Sequence, residues 1–473
     1  MALFAGVVAL GSVADQSAAA PAGGTAHSAT AVGRAPKALK LPVVRKTLAN
    51  GLRVVLSEDH TAPTVAVCVT YDIGARNEQA GRSGFAHLFE HMMFQGSRNV
   101  GKGGHFTLIS ERGGSMNGTT SADRTNYYEV LPSNALELGL WLEADRMKTL
   151  AVTAENFENQ RKVVQEEFRM RVSNAAYAMG LMRTKELAYK GYWPYEHPTI
   201  GSMIDLDNAQ LPWIRAFHRS YYAPNNAVLS IAGDFEPSTT LALVDKLFGQ
   251  AQRAEIPAYS PPQRPAQTEE RKDTVLDANA RTPGVYMGWV IPPYRSKEHY
   301  ALELALVMLS YGDSSVLHQR LVREQEQAQS VAGFTYDHRG PDLLVLRAIA
   351  SASGDPATIT RLIDEEIQRL ADNGPTPAQL AKAKQLVQSY FLFELETNMP
   401  RAIKLANYEL FWGDAKLINQ EVANFFQVSK EEVQASAAKF LTRSRRTHVL
   451  VQPQSDATSA KAASNTQRKG AGQ

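Results

Sequence analysis

Between Leu41 and Pro453 the apolar positions follow two rhythms, short strand-like runs and longer stretches of helical spacing. "GLRVVLSEDH" and "TVAVCVTYDIG" are rich in β-branched residues and predict two strands joined by a turn around Ala62-Pro63. In "GFAHLFEHMMFQGS", Phe85, Leu88, Phe89 and Met92 share one face at 3.6 residues per turn, which predicts a helix with Ser83 as its N-cap. "NVGKGGHFTLISERGG" reads as a glycine-rich loop entering a helix that stops at Gly113-Gly114. Two strands around a turn follow in "GSMNGTTSADRTNYYEVLP". Next come a helix in "NALELGLWLEADRMKTL" and another beginning after Thr153 and running through "ENFENQRKVVQEEFRMRV". Helical spacing continues to about Ser220, and "NAVLSIAGDF" closes this half as a buried strand.

The stretch "AEIPAYSPPQRPAQTEERKD", Ala254 to Asp273, contains four prolines and many polar residues and reads as a linker. Beyond it the outline repeats: a strand in "TPGVYMGWVIP", a helix in "HYALELALVMLSYG", then strands in "LLVLRAIAS" and "THVLVQP". The expected organisation is a disordered, signal-like segment 1–40, a first domain 41–253, a linker 254–273, a second domain 274–454 and a disordered tail 455–473. Two similar α+β domains follow from this pattern. The length of 473 residues, with 44% hydrophobic and 21% charged, fits two or more globular domains. A net charge of +2 gives no electrostatic case for nucleic acid. The single cysteine, Cys68, excludes an intrachain disulfide and an all-cysteine metal site.

The apolar run Leu3 to Val13 is too short to span a bilayer. It has the form of a signal-peptide core followed by small residues suited to cleavage near Ala18 to Ala22, although no Lys or Arg precedes it. Export to the periplasm is the expectation; an alanine-rich disordered tail on a cytoplasmic protein is the alternative. No other segment reads as membrane-spanning.

The polar face of the Phe85–Met92 segment carries His87, Glu90 and His91. Histidines at i and i+4 point at one spot one turn apart, where a single ion can bind both. The order H-x-x-E-H is the reversed zincin signature. Ordinary core histidines would explain either residue alone, but explain the ordered set less well. Gly96 to Gly103, "GSRNVGKG", nearly matches a phosphate-binding loop. Gly103 replaces the needed hydroxyl residue, and the stretch follows a helix rather than a strand, so it reads as a flexible loop.

With "HLFEHMMFQGS", the stretches "GGSMNGTTSADRTNYYEV", "QRKVVQEEF", "HPTIGSMIDLDNA" and "YYAPNNAVLSIAGDF" occur in order over a resemblance from about Val43 to Pro453. Together they resemble the pitrilysin-type, insulinase-like inverzincin zinc metallopeptidases, in particular a half-length catalytic subunit of the mitochondrial-processing-peptidase kind, as in bacterial two-subunit enzymes. The resemblance implies two homologous α/β-roll domains, each a mixed, mostly antiparallel sheet packed with helices, forming half of a clam-shell chamber. It implies one zinc ion held by His87, His91 and Glu167, the last lying 76 residues beyond His91. Glu166 stands about 100° away on the helix and reads as a surface charge. Glu90 is the implied general base for hydrolysis of short or unfolded peptides. The family often has a glutamate seven residues before the third ligand; here Gln160 can hydrogen-bond but carries no charge. Substrate is expected to add as a strand along "GSMNGTT", where Asn117 is either a contact or a turn residue. In "LVREQEQAQSVAG" the resemblance assigns Arg323 to substrate, but Ser330 stands where a tyrosine is expected. A heterodimer follows, with a homologous chain that lacks H-x-x-E-H and supplies an Arg–Tyr pair. A homodimer is the second option, and a non-catalytic scaffold or chaperone-like subunit of this fold is the rival function.

Overall fold

The computed structural model describes residues 39–454; the Leu3–Val13 run and the tail 455–473 lie outside the described residues. Strands β1 (Val44–Thr47), β2 (Arg53–Glu58), β3 (Thr64–Tyr71), β4 (Ser115–Thr120), β5 (Thr125–Pro132) and β6 (Ala227–Gly233) form one sheet in the order β1-β2-β6-β3-β5-β4. Strands β7 (Arg271–Asp277), β8 (Gly284–Ile291), β9 (Ala328–Phe334), β10 (Asp342–Ala350) and β11 (Arg446–Pro453) form the second, in the order β7-β11-β8-β10-β9. In each sheet one pair is parallel, β2 with β6 and β7 with β11, and all other pairs are antiparallel. The five-strand pattern of the second sheet thus repeats that of the first, as expected for two homologous rolls. The strands around Ala62-Pro63 do form, but they are not neighbours: β6 lies between β2 and β3.

Strands β3 and β8 are apolar on both faces because both faces are covered. Val65, Val67, Val69 and Tyr71 enter a core shared with the helices α1 (Phe85–Met92), α2 (Gly104–Ser110), α3 (Leu136–Thr149) and α4 (Ala154–Phe168). Ala66 and Cys68, on the other face, meet Ala402, Leu405 and Ala406. Those residues belong to the helix Asn398–Trp412, which lies beyond the linker in sequence yet packs across β3 and β6. The exchange is reciprocal. The helix Ala178–Ala188 packs on β7, β8 and β11 of the second sheet. There Gly180 allows close approach, since a Cβ at this position would stand 2.3 Å from Val451 Cγ2. Polar contacts fix the crossing. Arg401 Nη1 pairs with Asp59 Oδ2 at 2.5 Å, and Asn398 Nδ2 donates to the Thr64 carbonyl at 3.0 Å. Among the described residues no helix is long and apolar enough to cross a membrane.

Candidate metal centre and active site

Helix α1 starts one residue later than the sequence suggested. Its N-cap is Gly84, in the left-handed region at φ 88°, and Ser83 does not cap it. Ser83 instead donates its N–H and hydroxyl to Asp205 Oδ2, at 2.9 and 2.5 Å. A Cβ on Gly84 would lie 2.8 Å from the Ile200 carbonyl oxygen, so the α1 start is pressed against the backbone of Ile200 and Gly201. The free N–H groups of the first turn are met by Glu78, whose carboxylate accepts from Gly84 and Ala86, each at 2.8 Å. A carboxylate at a helix N-terminus also suits the helix dipole. His197 Nε2 holds the same carboxylate at 3.0 Å.

The apolar face of α1 is buried as its spacing predicts. Phe85 and Phe89 pack on Phe217, with ring centroids 5.9 and 5.7 Å apart. This fixes the helix roll and turns His87, Glu90 and His91 toward α4 and β4. Helix α4 is capped by Thr153, whose side chain accepts from the Asn156 N–H. Near its other end Glu167 Oε2 lies 3.0 Å from His91 Nε2 and 3.7 Å from His87 Nε2. One donor atom from each of the three residues falls within 4.8 Å of the others. Glu166 points away and pairs with Arg169 at 2.6 Å, its side chain 59% exposed. Gln160 sits buried two turns before Glu167 on α4.

Burial, helped by the neighbouring His91 charge, pushes His87 down to about 3, so its imidazole is neutral and its lone pair is available. The Glu167 carboxyl is pulled up by burial, but the His91 hydrogen bond and the Arg171 charge beside it outweigh this and hold it below the usual range. Arg171 reaches Glu167 Oε1 at 2.8 Å from a π-turn, Arg169–Ser173, that follows α4. Two imidazoles and a carboxylate held below its usual pKa range are donors of the kind that bind zinc. Burial pushes Glu90 upward, opposed by the Thr120 hydroxyl, which donates to Glu90 Oε2 at 2.7 Å.

Strand β4 is an edge strand of its sheet, opposite β1. Gly118 and Thr120 share the strand face turned to Glu90, and a Cβ at Gly118 would stand 3.1 Å from Glu90 Cγ. Asn117 is exposed on the opposite face, its amide oxygen accepting from the Gly118 N–H at 2.8 Å. Arg323 lies exposed in the π-turn His318–Glu324, and Ser330 is exposed on β9, an edge strand of the second sheet. Glu78, Gly118, Thr120 and Arg171 were not singled out from the sequence. Thr120 and Gly118 lie three residues or fewer from Asn117, and only strand alternation linked them to the helix.

The fold and this side-chain set define a two-domain α+β protein of the zinc-peptidase type. Residues 53–191 match "Insulinase (Peptidase family M16)", and residues 210–387 match "Peptidase M16 inactive domain". The chain belongs to the insulinase-like peptidase family M16. It is 30% identical over 418 residues to "Zinc protease PqqE" of Helicobacter pylori, covering 86% of this chain and 92% of that protein. The crystal structure of a protease from Helicobacter pylori superposes with a TM-score of 0.83 at 27% identity, over 88% of this chain and all (100%) of that one. The periplasmic protease PqqL from Escherichia coli, at 16% identity and TM-score 0.72, shares the fold, with 90% of this chain matching 49% of that chain.

Proposed function

We propose that this chain is a zinc-dependent endopeptidase for short or unfolded polypeptides and forms the catalytic half of a two-subunit shell. The observation that carries this reading is the convergence of His87, His91 and Glu167 donors beside a half-buried Glu90 that is not one of them. His87 and His91 would each offer Nε2 to the ion, and Glu167 a carboxylate oxygen. Bound zinc would supply Lewis acidity, lowering the pKa of a water to about 7 and polarising the scissile carbonyl. Glu90 takes the proton of the attacking water and passes it to the leaving amine. Thr120 fixes the carboxylate rotamer by holding Oε2. Burial raises the Glu90 pKa toward the working pH, which favours both halves of that proton transfer. The β4 edge offers an extended peptide unpaired backbone groups beside Asn117, so that strand addition supplies affinity.

In this reading the second half contributes little to the transition state. Arg323 is exposed and Ser330 is too short to stand in for a phenol. A homologous chain lacking H-x-x-E-H supplies the Arg–Tyr pair; a homodimer is the second arrangement. The match of residues 210–387 to an inactive domain favours one rival, a non-catalytic scaffold. Peptide hydrolysis that is abolished by a chelator, restored by zinc and raised by the co-expressed homologue is the expected result. A zinc-loaded complex with no hydrolysis would leave the scaffold. A periplasmic location is supported by the Leu3–Val13 run and by the periplasmic PqqL neighbour. N-terminal sequencing from native cells tests it, and an intact Met1 in a cytosolic fraction would refute it.

A further inference from the structure

A second cluster of ligand-type side chains lies in the other half of the chain. His299 is in the first turn of the helix Lys297–Ser310, and Asp337 and Asp342 flank the connection from β9 to β10. One donor atom from each of His299, Asp337 and Asp342 lies within 4.8 Å of the others. His299 Nε2 meets Asp342 Oδ2 at 2.9 Å. On the opposite side of the ring, His299 Nδ1 faces Glu303 Oε2 at 3.5 Å, and both side chains are wholly buried. Neither His299 Nδ1 nor either Glu303 oxygen has a hydrogen-bond partner. Burial and the neighbouring charges of Asp337, Glu421 and Asp342 push the Glu303 carboxyl well above its usual range.

The nearby fixed cations are already engaged. Arg295 pairs with Glu421 at 3.0 Å, and Lys404 pairs with Glu394 at 2.9 Å. His338 Nδ1 is 3.5 Å from Asp342 Oδ1 and 3.0 Å from the Tyr189 hydroxyl, and burial pushes its imidazole toward the neutral form. Three carboxyl groups, Glu303, Asp337 and Asp342, therefore surround His299; the Lys404 charge reaches Glu303 and Asp337, and the backbone N–H groups of Tyr336, Asp337 and Leu343 donate to Asp342. Asp337 also holds a left-handed backbone at φ 55°, an uncommon conformation for a residue with a side chain. Burial and the adjacent Asp342 push its carboxyl up to about 7.

We propose that His299, Asp337 and Asp342 form a second divalent-cation site, with Glu303 as the residue that positions His299. With an ion on Nε2, Glu303 Oε2, 3.5 Å from His299 Nδ1, would accept the Nδ1 proton and so aim the Nε2 lone pair at the two aspartates, the carboxylate–histidine–metal arrangement. The cation takes the place of the Nε2 proton now shared with Asp342. One imidazole and two carboxylates suit zinc or manganese rather than a thiophilic ion. Asp337 and His338 line a cavity of about 330 Å³ between the two halves, which gives an ion a route in. The same β9–β10 connection docks on the first half, where the Arg339 N–H donates to Asp123 Oδ2 at 3.0 Å and the Gly340 N–H donates to the Tyr195 hydroxyl at 2.8 Å. An ion here would stiffen the joint between the halves.

The test uses the full chain with His87→Ala and His91→Ala, which removes the first site and makes the result independent of catalysis. The protein is loaded with zinc or with manganese, desalted, and its metal content and melting temperature are measured. Retention of one equivalent of at least one metal, with a higher melting temperature, is the expected result. Asp337→Asn in the same background should lose that equivalent, and Glu303→Gln should weaken binding by about 10- to 100-fold. A double variant that retains neither metal would overturn the site, as would an Asp337→Asn protein that keeps it. If Asp337→Asn does not fold, the Glu303→Gln titration decides, and unchanged affinity overturns the proposal.

Discussion

Gly118→Ala tests how tightly the β4 edge constrains the general base. The added Cβ would stand 3.1 Å from Glu90 Cγ, 3.2 Å from the Asn126 carbonyl oxygen and 3.3 Å from Tyr127 Cδ1. The Asn126 carbonyl is backbone of β5, and the buried Tyr127 is anchored by its hydroxyl bond to the Phe89 carbonyl at 3.1 Å. Glu90 is thus the group that yields, by a few tenths of an ångström, and its 2.7 Å bond from Thr120 is disturbed. Overpacking costs about 1–3 kcal/mol. Removing glycine from the unfolded chain returns about 0.4–1 kcal/mol. Net stability should therefore fall by no more than about 2 to 3 kcal/mol. Activity should suffer more. A hydrogen bond to a charged group is worth about 1.5–3 kcal/mol, or roughly 10- to 100-fold in rate if it is lost in the transition state. The expected result is a 10- to 100-fold lower kcat/KM on a fluorogenic peptide, with zinc content unchanged, by order of magnitude. Gly101→Ala is the control, since a Cβ there meets nothing within 4 Å, and it should leave activity and melting temperature alone. A Gly118→Ala chain within about twofold of the parent would refute the packing argument.

Glu167→Gln should reduce zinc content, whereas Glu166→Gln, whose partner is the exposed Arg169, should leave zinc content and turnover unchanged; metal analysis of the two proteins separates the ligand from its neighbour. Acid stability should depend on Glu270. Burial raises its pKa, but the hydrogen bonds from Arg446 and Lys272 and the Arg446 charge outweigh that and hold it down at about 2. Its folded pKa lies below the ordinary 4.5, so its contribution is complete above that value and is lost as pH falls toward about 2. Urea unfolding of Glu270→Gln should show a deficit at pH 7 that shrinks between pH 4.5 and about 2, and an unchanged deficit across that range would contradict the assignment.

Local periodicity carried the strand and helix identities near the site, because α1 has an apolar face and a polar face that no other register would satisfy. It could not order the strands. Strand β6 enters between β2 and β3 by pairing in space, which leaves no mark on either run. Strand β1, "VRKT", is exposed at every position, so it had no hydrophobic signature to read. The N-terminus of α1 misled for a similar reason. Ser83 is a common capping type, but Glu78, six residues before Gly84, accepts from the first-turn N–H groups, and the backbone of Gly201 that presses on Gly84 lies more than a hundred residues away. The helix Asn398–Trp412 was not read from the sequence, and its place as a cover for the first sheet is set by contacts with β3 and β6 that local spacing does not record.

The central claim is that Glu90 is the base and not a ligand. Its most direct test is the turnover of Glu90→Gln at matched zinc content, with the homologous subunit present. The amide keeps its place against Thr120 and His87, His91 and Glu167 remain, so zinc should stay fully bound. Hydrolysis should fall by about 10²- to 10⁴-fold. Near-parental turnover of a zinc-replete Glu90→Gln protein, or loss of the zinc with the substitution, would contradict the account.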